Sequence, residues 1–250
     1  MGLKHGTVGR PRHEPRRREG TSGHEEILDA AAQLFTEKGF AATSTREIAL
    51  AVGIKQASLY YHFPSKEGIL AELLSATVRP SLAAAAQLSE ADAPPHVRLW
   101  ALAAFDVRVL CSGRWNLGAL YLLPELRTQR LASFWGDRQL LRDAYGKLVA
   151  EAAESGLLPV PDPAAATNLV FGLVESTITL RWEQDAAEVA ALAGTIADGT
   201  LRLLSCTARQ LTTARRRGER LLECLPVPPR ADRSRERVID VRTPAEQGVT

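Results

Sequence analysis

The sequence predicts an all-α protein, a small three-helix head joined to a larger helical body, on three observations. Apolar residues recur at three- and four-residue spacing from residue 22 to about 209, the period of a helix with one buried face. No segment alternates apolar and polar residues, and there is no Asn-Gly hairpin turn. Between 44 and 63, two short helical patterns are joined by a glycine-containing turn, which is the helix-turn-helix pattern.

Each element has its own signals. Residues 1–21 are rich in Gly, Pro and Arg without periodicity and read as a flexible basic arm. Ser22 and Glu25 fit a capping box opening the first helix, whose apolar face is Ile27, Leu28, Ala31, Leu34 and Phe35; Lys38 and Gly39 end it. Ser44 and Glu47 repeat the box for a second, two-turn helix ending at Gly53, and a third runs from Ile54 to Phe63, stopped by Pro64. Ser65 caps a fourth, which Pro80 closes. Further helices are predicted over 81–90, 95–112, 115–130, 132–155, 163–183 and 186–209, and "LTTARRRGERLLECL" has the pattern for one more. The domains expected are a basic arm at 1–21, a helix-turn-helix unit at 22–64, a helical body at 65–209, and a basic, Pro-containing, partly disordered tail at 210–250.

Composition narrows the function classes. The chain has 250 residues, 45% hydrophobic and 24% charged, enough for a sizeable core. A net charge of +2 does not by itself announce a nucleic-acid binder, although arginines cluster near both ends. Cys111, Cys206 and Cys224 are odd in number and widely spaced, so neither a disulfide framework nor a zinc site is expected. No apolar run reaches about 18 residues without charge, and no apolar segment follows the basic N-terminus. A cytoplasmic protein without membrane, metal or cofactor is the expectation. HExxH, P-loop and GxSxG patterns are all lacking, so catalysis is not expected.

The string from Ala41, "AATSTREIALAVGIKQASLYYHFPSKEGIL", together with Gly39-Phe40 and Ile27, Ala31, Leu34 and Phe35, resembles the DNA-binding module of TetR/AcrR-type transcriptional regulators. Thr45-Arg46, Ile48-Ala49, Gly53-Ile54, Leu59-Tyr60, His62-Phe63 and Lys66 carry the match, which is strong over 24–74 and only architectural beyond. The resemblance implies a homodimer that binds a double-stranded DNA operator and answers to a small-molecule effector held in the body. On the residues themselves, Gln56, Ala57 and Ser58 lead the third helix and suit base edges, whereas Tyr60, Tyr61 and His62 suit phosphates. Lys55, Lys66, Ser44, Thr45 and Arg46 are further phosphate candidates; Ser44 serves equally as a cap, and one tyrosine can pack on the first helix instead. Leu59 and Phe63 read as core.

In the body, Trp100, Phe105, Trp115, Tyr121, Trp135, Tyr145 and Phe171 mix with the sparse polar groups Asp106, Asn116 and Glu175, a composition that suits a mostly apolar ligand pocket. Core packing with internally satisfied polar groups is the plainer reading of each. Asp106 stands four residues after Leu102 and seven after Leu99 on a buried face, where a carboxylate requires a partner. The helices at 163–183 and 186–209 are the dimer-interface candidates. A pseudo-palindrome-reading repressor is the leading function. An activator of the same family, an all-helical enzyme, and a partner-binding protein that no longer reads DNA are its rivals.

Overall fold

The structure, a computed structural model, describes residues 23–122, 126–180 and 186–226, and these are helical with no strand among them. The head comprises α1 (Gly23–Lys38), α2 (Thr45–Val52) and α3 (Gln56–His62). The capping residue expected at Ser22 lies outside the described residues, as does Trp182, the fourth tryptophan of the chain. Ile27, Ala31 and Phe35 of α1 are buried against Ile48, Ala49, Val52, Leu59 and Phe63. Gly39 takes φ +88° to turn the chain out of α1, and Phe40 then meets Phe35 edge to face at 5.1 Å.

The capping box of α2 is complete: Ser44 Oγ accepts from the Glu47 amide, and the Glu47 carboxylate accepts from the Ser44 amide at 2.8 Å. Gly53, at φ 76°, closes α2 in the left-handed conformation. The third helix starts at Gln56 rather than Ile54, because the turn after Gly53 leaves Lys55 extended. The expected fourth helix is divided into α4 (Lys66–Ser75) and α5 (Arg79–Ser89). Pro80 therefore opens α5 instead of closing α4, since a first-turn residue needs no amide hydrogen. Lys66–Ser89 is long and apolar enough to cross a membrane by composition, but α4 and α5 pack on α1, α6 and α7.

Buried almost throughout, α6 (Pro95–Ser112) is the axis of the body and contacts α5, α7 (Ala132–Glu154), α8 (Pro163–Glu175), α10 (Ala186–Leu203) and α11 (Ala208–Glu223). In place of the helix expected over 115–130, short 3-10 turns form at Leu117–Leu122 and Gln129–Leu131, with 123–125 outside the described residues. Gly113 is extended, and Gly118 lies so close to Ile178 that a Cβ would sit 2.8 Å from its Cγ1. Packing there sets the path instead of propensity.

The expected 163–183 helix stops at Glu175 and resumes as the single turn α9 (Thr177–Leu180). Within that break, Ser176 and Thr179 hydroxyls bond preceding carbonyls, which weakens a helix. A further helix spans the boundary expected at 210. Ser205 turns the chain at φ 61°, and Thr207 with Gln210 forms a capping box that starts α11. This arginine-rich helix is part of the body: a Cβ on Gly218 would lie 2.3 Å from Trp100 Cε3.

Candidate nucleic-acid interface and effector core

Only Leu59 of α3 is buried, and it anchors the helix to the head. Gln56, Ala57 and Ser58 are exposed on the leading turn; Tyr61 is 89% exposed and Tyr60 47%. Phe63 turns inward instead, stacked on His24 at 4.6 Å, while His62 meets Tyr61 edge to face at 5.6 Å. Lys55 and Arg46 are exposed beside them.

Three candidates form one hydrogen-bonded group. Gln56 Nε2 donates to Thr45 Oγ1 at 2.9 Å, and Thr45 Oγ1 lies 3.2 Å from the Tyr60 hydroxyl. Ser44 serves α2 as its cap, and its bonds hold the Glu47 carboxyl below the usual range. Lys66, expected at phosphates, instead donates to Phe40 O and Thr43 O at 2.7 Å each and lies 4.3 Å from the Phe40 ring centre. Its ammonium ties the α1–α2 turn to the start of α4. One N–H of the ammonium's three remains beyond these two bonds.

In the body, a continuous string of side chains runs through the residues picked out by composition. Asp106, 3% exposed, accepts from Ser81 Oγ at 2.7 Å and from the Tyr145 hydroxyl at 3.2 Å. Tyr145 meets Phe171 at 5.6 Å, and Phe171 lies 5.0 Å from the Arg138 guanidinium. That guanidinium holds Glu175 in a two-pronged ion pair, 2.8 and 2.5 Å, and reaches the Trp135 ring at 5.9 Å. Phe134 connects Trp135 to Tyr121, whose hydroxyl donates to Thr77 Oγ1 at 3.2 Å. Burial pushes the Asp106 carboxyl up to about 7, although its two hydrogen bonds oppose the shift. Burial also raises the Tyr121 and Tyr145 hydroxyls above their ordinary range.

The other candidates go elsewhere. Trp100 donates its indole N–H to the buried Asp198 at 2.9 Å, on the α10–α11 side, where Arg215 also binds Asp198. Trp115 joins body to head by donating to Asp29 of α1 at 3.0 Å, and Asn116 donates to Ile178 O at 2.8 Å. Phe105 is enclosed core. Sequence reading did not single out Arg138, Ser81 or Thr77. Arg138 had a readable signal: it stands seven residues before Tyr145, two helical turns, hence on the same face of α7.

The structure thus belongs to the class of helix-turn-helix proteins with a separate all-helical body. The family model for bacterial regulatory proteins of the tetR family matches residues 27–73. AmtR of Mycobacterium smegmatis is 43% identical, with a TM-score of 0.71 over 86% of this chain and 100% of that one. PfmR from Thermus thermophilus is 26% identical, with a TM-score of 0.63 over 70% of this chain and 97% of that one. The HTH-type transcriptional repressor KstR2 of Rhodococcus jostii is 54% identical over 56 residues, which are 22% of this chain and 28% of that protein. The chain therefore spans only about a quarter of the length of the curated relatives it matches. It belongs to the TetR family of bacterial regulatory proteins.

Proposed function

We propose that the chain is a sequence-specific DNA-binding transcriptional regulator, acting as a homodimeric repressor that a small molecule releases from its operator. The observation that carries this reading is α3, which leaves Gln56, Ala57 and Ser58 exposed at its leading turn while Leu59 anchors it. Such a helix enters the major groove with its first residues at base edges. Arg46, Lys55, Tyr60, Tyr61, His62 and the remaining N–H of Lys66 supply the phosphate contacts around it. KstR2, which shares this segment, is a transcriptional repressor.

Two heads are needed because one short helix reads few bases. A twofold dimer reads half-sites about 34–36 Å apart, or a multiple of that. Its interface is supported by α8 and α10, which pack together and leave Leu169 and Leu203 exposed, with open space over Gly172 and Gly194. The effector site is the string from Asp106 to Tyr121, aromatic in its walls and carrying a few polar groups that orient a ligand. The effector's signal to the head passes through the segment between α6 and α7, where Trp115 holds Asp29 and Arg130 holds Glu67 of α4 at 3.1 Å. The effector acts by binding one arrangement of the heads more tightly than the other.

The test is selection of bound duplexes from a random library, followed by anisotropy titrations at several salt concentrations. A pseudo-palindrome whose affinity falls steeply with salt is expected. Recovery of no common site would overturn the proposal.

A further inference from the structure

We infer that Thr45 is a positioning residue that decides which base Gln56 accepts, by holding one edge of the Gln56 carboxamide and linking it to Tyr60. The inference rests on the assignment of Gln56 to base reading made above. A glutamine carboxamide has two N–H donors and one carbonyl acceptor in a single plane. Unrestrained, it rotates and offers either a donor–acceptor pair or its donors alone. Here one N–H is committed to Thr45 Oγ1 at 2.9 Å. When the N–H trans to the carbonyl makes that bond, the groups left over are the other N–H and the carbonyl oxygen, side by side on one edge. Adenine presents an acceptor at N7 and a donor at N6 in the major groove, which this pair matches bidentately; guanine presents two acceptors, N7 and O6. Restraint by Thr45 therefore selects adenine against guanine.

The 3.2 Å contact between Thr45 Oγ1 and the Tyr60 hydroxyl extends the restraint to the DNA backbone. When Tyr60 donates its proton to a phosphate, its oxygen is left to accept from Thr45. Thr45 then gives its single proton to Tyr60, and its oxygen accepts from Gln56. Only one direction of the chain satisfies every group: Gln56 N–H to Thr45, Thr45 O–H to Tyr60, Tyr60 O–H to phosphate. Each bond polarises the next. The backbone contact thus settles the orientation of the base-reading amide. Thr45 opens α2, whose capping box is built by Ser44 and Glu47 and not by Thr45, so its hydroxyl can be removed without disturbing the helix start.

The experiment measures relative affinity of the homodimer for a selected operator and for variants with guanine in place of each half-site adenine. Thr45→Val, which keeps the branched shape but has no hydroxyl, should lose roughly tenfold of the adenine preference at the position that Gln56 reads. Its salt slope should match that of the parent. Thr45→Ser should restore the preference, and Tyr60→Phe should weaken it while also lowering affinity for all sequences, with no change in salt slope because a hydroxyl carries no charge. A Thr45→Val protein that keeps its preference and loses affinity uniformly would show a plain phosphate contact and overturn the inference alone. Failure of Gln56→Ala to change any preference would overturn the base-reading assignment, and the inference with it.

Discussion

Asp106 shows how a single residue can be legible in its need and illegible in its answer. Its spacing from Leu99 and Leu102 requires a partner, and the partners are Ser81 and Tyr145, 25 and 39 residues away. Burial holds its carboxyl at about 7 against the usual 3.8. Between those values the unfolded chain has released a proton that the folded chain retains, so stability falls as pH rises through that window. Asp106→Asn removes the titration. Its melting temperature should vary less with pH across the window and exceed that of the parent at about pH 8. Calorimetry giving parallel profiles for the two proteins would contradict this. Lys66 holds the converse lesson. Its place at a helix start reads as a phosphate site, and two carbonyls, of Phe40 and Thr43, take up two of its three N–H groups. Loop carbonyls have no side-chain signature, so nothing in the sequence announced them.

At the scale of elements, boundaries set by local chemistry were readable and those set by packing were not. Ser44, Glu47 and Gly53 define α2 within ten residues of chain, and α2 forms where they put it. Pro80 was ambiguous because the same ring that ends one helix begins another. The pattern of α11 was readable, but its place in the body was not. Its apolar positions Leu211, Ala214, Gly218 and Leu222 follow the helical period, but the surface they meet belongs to α6. Gly218 shows how close that meeting is. Gly218→Ala places a methyl within 2.3 Å of the Trp100 ring, an overpacking cost of about 1–3 kcal/mol. The gain in helix propensity, about 1 kcal/mol, runs the other way. Net destabilisation is expected in urea melts followed by tryptophan fluorescence, together with faster amide exchange in α11. A stabilised variant would show that α11 adapts freely.

For the whole molecule, the exposed faces of α8 and α10 make the strongest prediction. Of the small and apolar residues of α8 and α9, Ala166, Val174 and Ile178 turn inward, while Ala165, Leu169 and Gly172 turn to solvent. Leu169→Glu puts a charge on that outward face and should shift sedimentation from dimer toward monomer. Operator affinity should fall by at least about tenfold, because single heads lose their linked half-sites. Each head would keep its fold, so far-ultraviolet dichroism should be unchanged. A Leu169→Glu dimer of full affinity would place the interface elsewhere.

The sequence by itself determined the helical class, the head with its turn and the exposed leading residues of its third helix, and the set of side chains from which the body's polar string is drawn. Those features depend on hydrophobic period, caps and glycine turns, which act over a few residues. Tertiary structure alone decided that Trp100 belongs to the Asp198–Arg215 corner, that Trp115 reaches Asp29 in the head, and that Arg138 links Glu175 with the aromatics. It also joined Gln56 to Thr45 across the helix-turn-helix. Such pairings depend on where distant backbone comes together in space, and a one-dimensional pattern holds no record of that.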